Sequence, residues 1–101
     1  MKRTLIRYKT KPELADKNAE LIRGVFEQLK ADGPEGVRYL SLRLEDGTFV
    51  HFVEAESDSA NFLPSLAAFK AFQSGIRERC IEPPQAGSVT IVGNYRMLRE
   101  P

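Results

Sequence analysis

The dipeptide Asp46-Gly47 lies between two stretches of strand-like sequence, residues 37–45 and 48–56. An Asp-Gly pair flanked by such stretches is among the strongest local signals for a β-hairpin. The middle of the chain is therefore predicted to place two neighbouring antiparallel strands in a sheet.

Two helical patterns and a further strand surround this hairpin. Residues 4–9 are rich in β-branched and aromatic side chains and are predicted to be a strand, whereas residues 13–31 carry apolar side chains at helical spacing. Residues 57–59 offer oxygen atoms for the N-cap of a second helical pattern, which continues to Cys80. Pro64 is predicted to separate a short first turn from the rest of it.

The last part of the chain is predicted to be a linker at residues 82–87, followed by a final strand at residues 88–98. The element order βαββαβ is that of ferredoxin-like α+β folds, in which a four-stranded antiparallel sheet carries two helices on one face. A chain of 101 residues suits one such domain, residues 1–101.

The charge balance excludes several partners. Fifteen basic and fourteen acidic residues give a formal charge of +1, so no net field favours nucleic acid or an anionic membrane. No apolar signal segment follows the first methionine, and no run approaches the roughly 20 apolar residues of a membrane-spanning helix. We expect a cytoplasmic protein that binds neither nucleic acid nor membrane.

One cysteine and one histidine, Cys80 and His51, limit the metal and redox chemistry of the chain. A lone cysteine forms no internal disulfide and no metal cluster by itself. The sequence also has no glycine-rich phosphate loop, nucleophile elbow or metal-ligand spacing. We therefore expect no metal and no cofactor, and we expect Cys80 to be a small buried residue near a helix end.

The predicted strands are apolar on both faces. In the strand before the hairpin, Leu40, Leu42 and Leu44 alternate with Val37 and Tyr39. A sheet face exposed to water normally alternates to polar residues, and an exposed apolar surface usually marks a partner site. We expect a homodimer formed through the sheet face that the helices leave uncovered.

A strand that ends in acidic residues leads into an aromatic helix, FVHFVEAES at 49–57 and LAAFKAF at 66–72. In this feature and in element order the chain resembles the dimeric α+β barrel superfamily, and within it the antibiotic-biosynthesis monooxygenase-like group. That resemblance implies a homodimer in which two sheets face each other. It also implies a cavity between sheet and helices for an aromatic, polyketide-like or haem-like substrate.

The chain departs from this family at two places. Members with cofactor-free oxygenase activity commonly have a tryptophan just after the acidic strand residue, and haem-degrading members have a histidine on the second helix. Here Ala55 stands near the tryptophan-like position, and residues 66–80 contain no histidine. Haem degradation is therefore not expected.

His51 is the one side chain whose unperturbed pKa lies near neutrality, which makes it the candidate for proton transfer. Its neighbours depend on the hairpin register. With a two-residue loop at 46–47, His51 pairs with Leu42. With a three-residue loop at 45–47 and a glycine bulge, it pairs with Ser41.

We favour the three-residue loop, because it gathers the three leucines with Val50 and Phe52 in one core. His51 then joins Tyr39 on the second face, at the dimer surface or beside a cavity. The family resemblance instead turns the side that bears His51 towards the cavity. The sequence leaves both positions open.

Tyrosine hydroxyls in the strands can orient a phenolic or quinone-like ligand, and phenylalanines of the second helix can line its pocket. A polar residue of the last predicted strand can reach a ligand or the partner. The candidate residues are His51 for catalysis and, for substrate binding, Tyr39, Ser41, Phe69, Phe72 and Asn94.

Two functions fit these observations. The first is a homodimer that binds a small apolar or aromatic molecule, as a monooxygenase-like enzyme with His51 as its acid–base group. This function requires a closed apolar cavity of a few hundred cubic ångströms around His51. The second is a non-catalytic dimeric module, in which His51 has a structural role.

Overall fold

A computed structural model describes residues 1–33, 35–56 and 62–97 of the chain. Its four strands form one antiparallel sheet in the order β2-β3-β1-β4, as a ferredoxin-like fold requires. The strands are β1 (Lys2–Thr10), β2 (Val37–Arg43), β3 (Thr48–Ala55) and β4 (Cys80–Ser88).

The helices pack on one face of this sheet. A 3₁₀ turn (Pro12–Leu14) leads into the long helix α1, and the second helical region consists of three short helices. The helices are α1 (Ala15–Asp32), α2 (Phe62–Ser65), α3 (Ala67–Gln73) and α4 (Ile76–Arg79). Between them lies a buried core of Tyr8, Ala15, Ile22, Val25, Phe49, Leu63, Leu66 and Phe72.

The second helical region is interrupted twice for local reasons. Leu66 has extended backbone angles, which separates α2, with its Pro64, from α3. Gly75 has φ +77°, a left-handed conformation that glycine adopts without a steric penalty, and it ends the α3 turn before α4. The predicted N-cap at residues 57–59 lies outside the described residues.

The hairpin has the three-residue loop. The Leu44 amide donates to the Thr48 carbonyl at 2.8 Å, and Gly47 has φ +89°, as a glycine bulge requires. His51 accordingly pairs with Ser41. The predicted register is thus confirmed.

The reason that favoured this register is wrong for the single chain. Leu40, Leu42 and Leu44 form no buried core with Val50 and Phe52, because the helices cover the opposite face of the sheet. The three leucines are 46–51% exposed. His51, in contrast, faces the helices and is only 2% exposed.

The last strand begins earlier than predicted. Residues 82–87 are not a linker but part of β4, and residues 89–97 lie outside the sheet rather than in a strand that begins at Ser88. Pro83 and Pro84 misled the prediction. Proline is tolerated in an edge strand and at a bulge. β4 is an edge strand, and its pairing with β1 shifts register opposite these two prolines.

One smaller expectation concerns the same part of the chain. Cys80 is half-buried and opens β4 directly after α4, close to the predicted helix end. Within the described ranges, no helix has the length and apolar character that crossing a membrane requires.

Candidate functional site

His51 lies at the centre of a buried hydrogen-bonded cluster. It occupies the inner strand β3, and the neighbouring strands β1 and β2 bring a tyrosine to each side of its ring. The Tyr39 hydroxyl lies 2.6 Å from His51 Nδ1, and the Tyr8 hydroxyl lies 2.8 Å from Nε2. Both ring nitrogens therefore have a partner.

The cluster continues from Tyr8 into the helices. Asn18 of α1 donates through Nδ2 to the Tyr8 hydroxyl at 2.8 Å, and its Oδ1 accepts from Arg79 Nε at 3.0 Å. The remaining Arg79 nitrogens donate to the carbonyls of Ser74, at 3.0 Å, and Phe72. Arg79, Asn18, Tyr8, His51 and Tyr39 thus form one continuous chain of hydrogen bonds, which we call the polar chain.

Burial sets the protonation of this chain. It lowers the pKa of His51 to about 4, so the imidazole is neutral at pH 7. It raises the pKa of Tyr8 and of Tyr39 well above the usual value, so both remain phenols. Burial also lowers the pKa of Arg79, but guanidinium groups stay protonated in proteins.

Arg79 is a buried cation without a carboxylate partner among the described residues. It is 6% exposed, its three hydrogen bonds go to neutral oxygens, and its guanidinium carbon lies 5.6 Å from the centre of the Phe72 ring. A buried charge is costly unless it is well hydrogen-bonded. Because the guanidinium of Arg79 is charged and lies at one end of the polar chain, that end has a positive potential.

Aromatic rings close the cluster on its other sides. Tyr8 stacks on Phe49 with ring centres 5.6 Å apart, and Phe72 lies 5.6 Å from the His51 ring. Phe69 contacts Phe72 in turn, at 6.0 Å. These rings fill the space around His51, which excludes water from its two hydrogen bonds.

A cleft of about 200 Å³ opens beside Tyr39, where the end of α1 meets the start of β2. Most of its wall is apolar, and Lys30 adds a cation. The Phe26 and Tyr39 rings are in contact, with centres 4.9 Å apart. The lining residues are Phe26, Leu29, Lys30, Gly33, Val37 and Tyr39.

The candidate residues fall into three groups. Tyr39 and Phe72 surround His51, and Phe69 lies one ring further away. Ser41 is opposite His51 in the sheet register, on the same face. Asn94 follows β4, where its Oδ1 accepts from the Met97 amide at 3.1 Å, and it does not belong to the polar chain.

The described residues enclose no cavity around the His51 ring. Tyr8, Tyr39 and Phe72 occupy that space, and the ring is 2% exposed. The cleft of about 200 Å³ is lined by Tyr39, and His51 is not among its lining residues. A molecule in this cleft would meet Tyr39 rather than the His51 ring.

Three members of the polar chain are absent from the candidate residues: the strand tyrosine Tyr8, and the helical residues Asn18 and Arg79, which reasoning from the sequence missed altogether. Both helical residues carry a signal that could have identified them. Asn18 lies four residues before Ile22 on the apolar side of its helix, and Arg79 lies three residues after Ile76. A polar residue on the core-facing stripe of a helix is expected to be buried, and a buried polar side chain normally has a hydrogen-bond partner.

The described residues contain no group of three or more histidine, cysteine, aspartate or glutamate side chains able to hold a metal ion. The cluster itself consists of a neutral imidazole, two phenols, an amide and a guanidinium joined by hydrogen bonds. Such a set can orient a ligand and donate to its oxygen atoms.

The fold and this buried cluster define an α+β protein of the ferredoxin-like class. Within that class the chain shares the fold of several solved structures that bear the name "putative antibiotic biosynthesis monooxygenase", as the resemblance in the sequence implies. No protein-family model and no curated protein matches the sequence.

Three of these structures come from different bacteria. The protein from Nitrosomonas europaea has a TM-score of 0.73 at 16% identity, over 89% of this chain and 88% of its own. The protein from Caulobacter crescentus has a TM-score of 0.73 at 18% identity, over 90% of this chain and 89% of its own. The protein from Bacteroides thetaiotaomicron has a TM-score of 0.76 at 14% identity, over 90% of this chain and 89% of its own. At such identities the likeness establishes the fold.

Proposed function

We propose that this chain is a homodimeric protein that binds a small aromatic molecule in the cleft beside Tyr39. The observation that carries this function is the cleft itself, whose wall is mostly apolar and includes one tyrosine held by the polar chain. Ligand sites typically combine an apolar surface with a few fixed polar groups. His51 is then a positioning residue for Tyr39 and does not touch the ligand.

The chemistry of the cleft favours an aromatic ligand. Phe26 and Tyr39 offer ring faces and edges, and Leu29 and Val37 add aliphatic surface. Aromatic rings prefer offset or edge-to-face contact with one another. A volume of about 200 Å³ suits a compact molecule of few rings.

Binding is tested by titrating tetralin, an apolar two-ring hydrocarbon, and following the backbone amide resonances of ¹⁵N-labelled protein. We expect shifts centred on Gly33 and Val37, which line the cleft. Val37→Phe should fill the cleft and abolish these shifts, whereas Val92→Phe, at a fully exposed position, should not. Shifts that survive in Val37→Phe would contradict this site.

The dimer rests on the open face of the sheet. Leu5, Leu40, Leu42 and Leu44 are 38–51% exposed there, next to Phe52. Three further exposed apolar side chains, Val92, Tyr95 and Met97, follow β4 outside the sheet. An apolar surface of this extent on one domain is typical of an interface, and a second copy offers the same surface for a symmetric contact.

Sedimentation equilibrium at micromolar concentration tests the dimer. The wild-type chain should have twice its monomer mass, and Leu42→Lys should lower the mass towards the monomer because it buries a charge in the contact. Ala31→Lys, on the exposed end of α1, introduces the same charge and should leave the dimer intact. A monomeric wild-type chain would contradict the proposal.

Oxygenation of the bound molecule is a second candidate function, favoured by the fold shared with proteins named as antibiotic biosynthesis monooxygenases. It is tested with an oxygen electrode and polycyclic phenols as substrates. Consumption of O₂ above the rate of heat-denatured protein, lost in Val37→Phe, would support catalysis in the cleft. Equal rates would leave ligand binding as the function.

A further inference from the structure

The direction of every hydrogen bond in the polar chain follows from Arg79. A guanidinium only donates, so Asn18 must present Oδ1 to Arg79 and therefore Nδ2 to Tyr8. The Tyr8 hydroxyl accepts that bond, and its own hydrogen is free to point at His51 Nε2. The opposite arrangement would leave the Tyr8 hydrogen without an acceptor among the described residues, at a side chain that is 2% exposed.

The same reasoning determines the tautomer of His51 and the direction of its hydrogen bond with Tyr39. If Nε2 accepts from Tyr8, the neutral imidazole carries its hydrogen on Nδ1 and donates it to the Tyr39 oxygen. The Tyr39 hydrogen then has no acceptor among the described residues, since His51 is the one partner that they offer this hydroxyl. Tyr39 is also the member of the polar chain that lines the cleft.

We propose that Tyr39 donates its hydroxyl hydrogen to an acceptor oxygen of the ligand, and that Arg79 fixes this direction through Asn18, Tyr8 and His51. The ligand class is thereby narrowed to aromatic molecules with a ketone, quinone or phenolate oxygen. This inference rests on the proposed binding function. Arg79, Asn18, Tyr8 and His51 are positioning residues, and Tyr39 is the group that touches the ligand.

The buried charge of Arg79 adds an electrostatic reason for this ligand class. Aligned hydrogen bonds polarise one another, and a cation at the far end draws electron density along the chain away from Tyr39. The Tyr39 hydroxyl becomes a stronger donor as a result. An oxygen with full or partial negative charge gains most from such a donor.

The tautomer of His51 tests the direction without any mutation. His51 is the single histidine of the chain, so its ring nitrogens are unambiguous in a ¹⁵N spectrum. We expect the hydrogen on Nδ1 in the wild-type protein at neutral pH. A ring protonated on Nε2 would overturn the inference, and it would leave the proposed binding function unaffected.

Arg79→Met tests the origin of the direction, with Arg77→Met as a matched control on the exposed side of the same helix. Without Arg79, Asn18 can rotate its amide, and we expect both tautomers of His51 to appear. Arg77→Met should keep the Nδ1 form. If a folded Arg79→Met protein also kept only the Nδ1 form, the claim that Arg79 sets the hydrogen-bond direction would be wrong. If Arg79→Met does not fold, Asn18→Leu offers the same measurement.

The ligand class is tested with tetralone and tetralin, which have nearly the same shape and differ in one ketone oxygen. Wild-type protein should bind tetralone about fivefold more tightly, as one net hydrogen bond implies. Tyr39→Phe should remove that preference while it still binds tetralin. Equal affinities in the wild type would overturn this inference alone, whereas binding of neither molecule would overturn the proposed function and this inference together.

Discussion

The two faces of the sheet differ in a way that reverses the usual pattern. The face beneath the helices holds a histidine, two tyrosines and their polar partners, and every buried side-chain polar atom described there has a hydrogen bond. The face without helices carries leucines that are 38–51% exposed. A chain that functioned alone would be expected to bury the leucines and expose the polar groups.

This reversal indicates that each face has a separate task. Buried polar groups contribute little net stability compared with apolar side chains of similar volume, so their presence under the helices suggests a chemical role. Exposed leucines cost solubility unless they are covered, so their presence on the other face suggests a partner. The helix-covered face thus agrees with the proposed ligand site, and the open face agrees with the proposed dimer.

The largest predicted effect compares how a substitution on each face changes the free energy of unfolding. Phe49→Ala removes a 2% exposed ring under the helices and should lower the free energy of unfolding by about 3–5 kcal/mol. Leu42→Ala removes a half-exposed side chain from the open face and should weaken the proposed dimer contact instead. Urea unfolding at several protein concentrations measures both variants.

Concentration dependence is the discriminating observation in that experiment. The wild-type midpoint should rise with protein concentration, because dimer formation stabilises the folded state. Phe49→Ala should lower all midpoints and keep the rise, whereas Leu42→Ala should flatten it. The same flattening in both variants would show that the two faces are not independent.

The second predicted effect concerns pH and is specific to the helix-covered face. Burial lowers the pKa of His51 from 6.5 to about 4, so the unfolded chain binds a proton that the folded chain does not. His51 therefore lowers stability as the pH falls from about 6.5 to about 4, by roughly 3 kcal/mol, and costs nothing above that range. Urea unfolding at a series of pH values measures this slope.

His51→Gln is the control for the pH effect. Glutamine keeps a donor and an acceptor next to the tyrosines but does not titrate. Its stability should therefore vary less between pH 6.5 and 4 than that of the wild type. An unchanged slope would mean that other groups produce it, and that His51 is more accessible to protons than its burial indicates.

Most of the fold could be predicted from the sequence because its signals are local. Asp46-Gly47 fixed the hairpin, and the apolar spacing of residues 13–31 fixed the first helix, since turn chemistry and helical periodicity act over a few residues. The last strand was misplaced, because Pro83 and Pro84 argue against a strand except at an edge. Whether a strand lies at an edge depends on the whole sheet.

The candidate site was predicted only in part, for a similar reason. Tyr39, Phe72 and His51 were identified by residue type, and the register that brings His51 opposite Ser41 followed from the loop length. The link from Asn18 to Arg79 joins residues 61 positions apart, and no local pattern pairs them. The choice of face for His51 depended on where the helices pack, which the alternation of two apolar faces leaves undetermined.

The smallest predicted effect concerns the turn that joins β2 to β3. Gly47 has φ +89°, and a Cβ at this position would lie 3.2 Å from the Thr10 carbonyl oxygen. Gly47→Ala should therefore cost about 1–2 kcal/mol. Gly24→Ala, in α1 with no atom near the new Cβ, should instead stabilise the protein by about 0.5–1 kcal/mol.

A change of hairpin register would relieve the strain of Gly47→Ala. We expect the difference between the two faces of the sheet to prevent that change. A two-residue loop would pair His51 with Leu42 and move one strand relative to the other by a residue, so either the leucines or the polar chain would change face. We therefore expect the alanine variant to keep the wild-type register and bear the strain. Cross-strand nuclear Overhauser effects between Ser41 and His51 measure this directly, and their replacement by effects between Leu42 and His51 would show that the turn, rather than the two faces, holds the register.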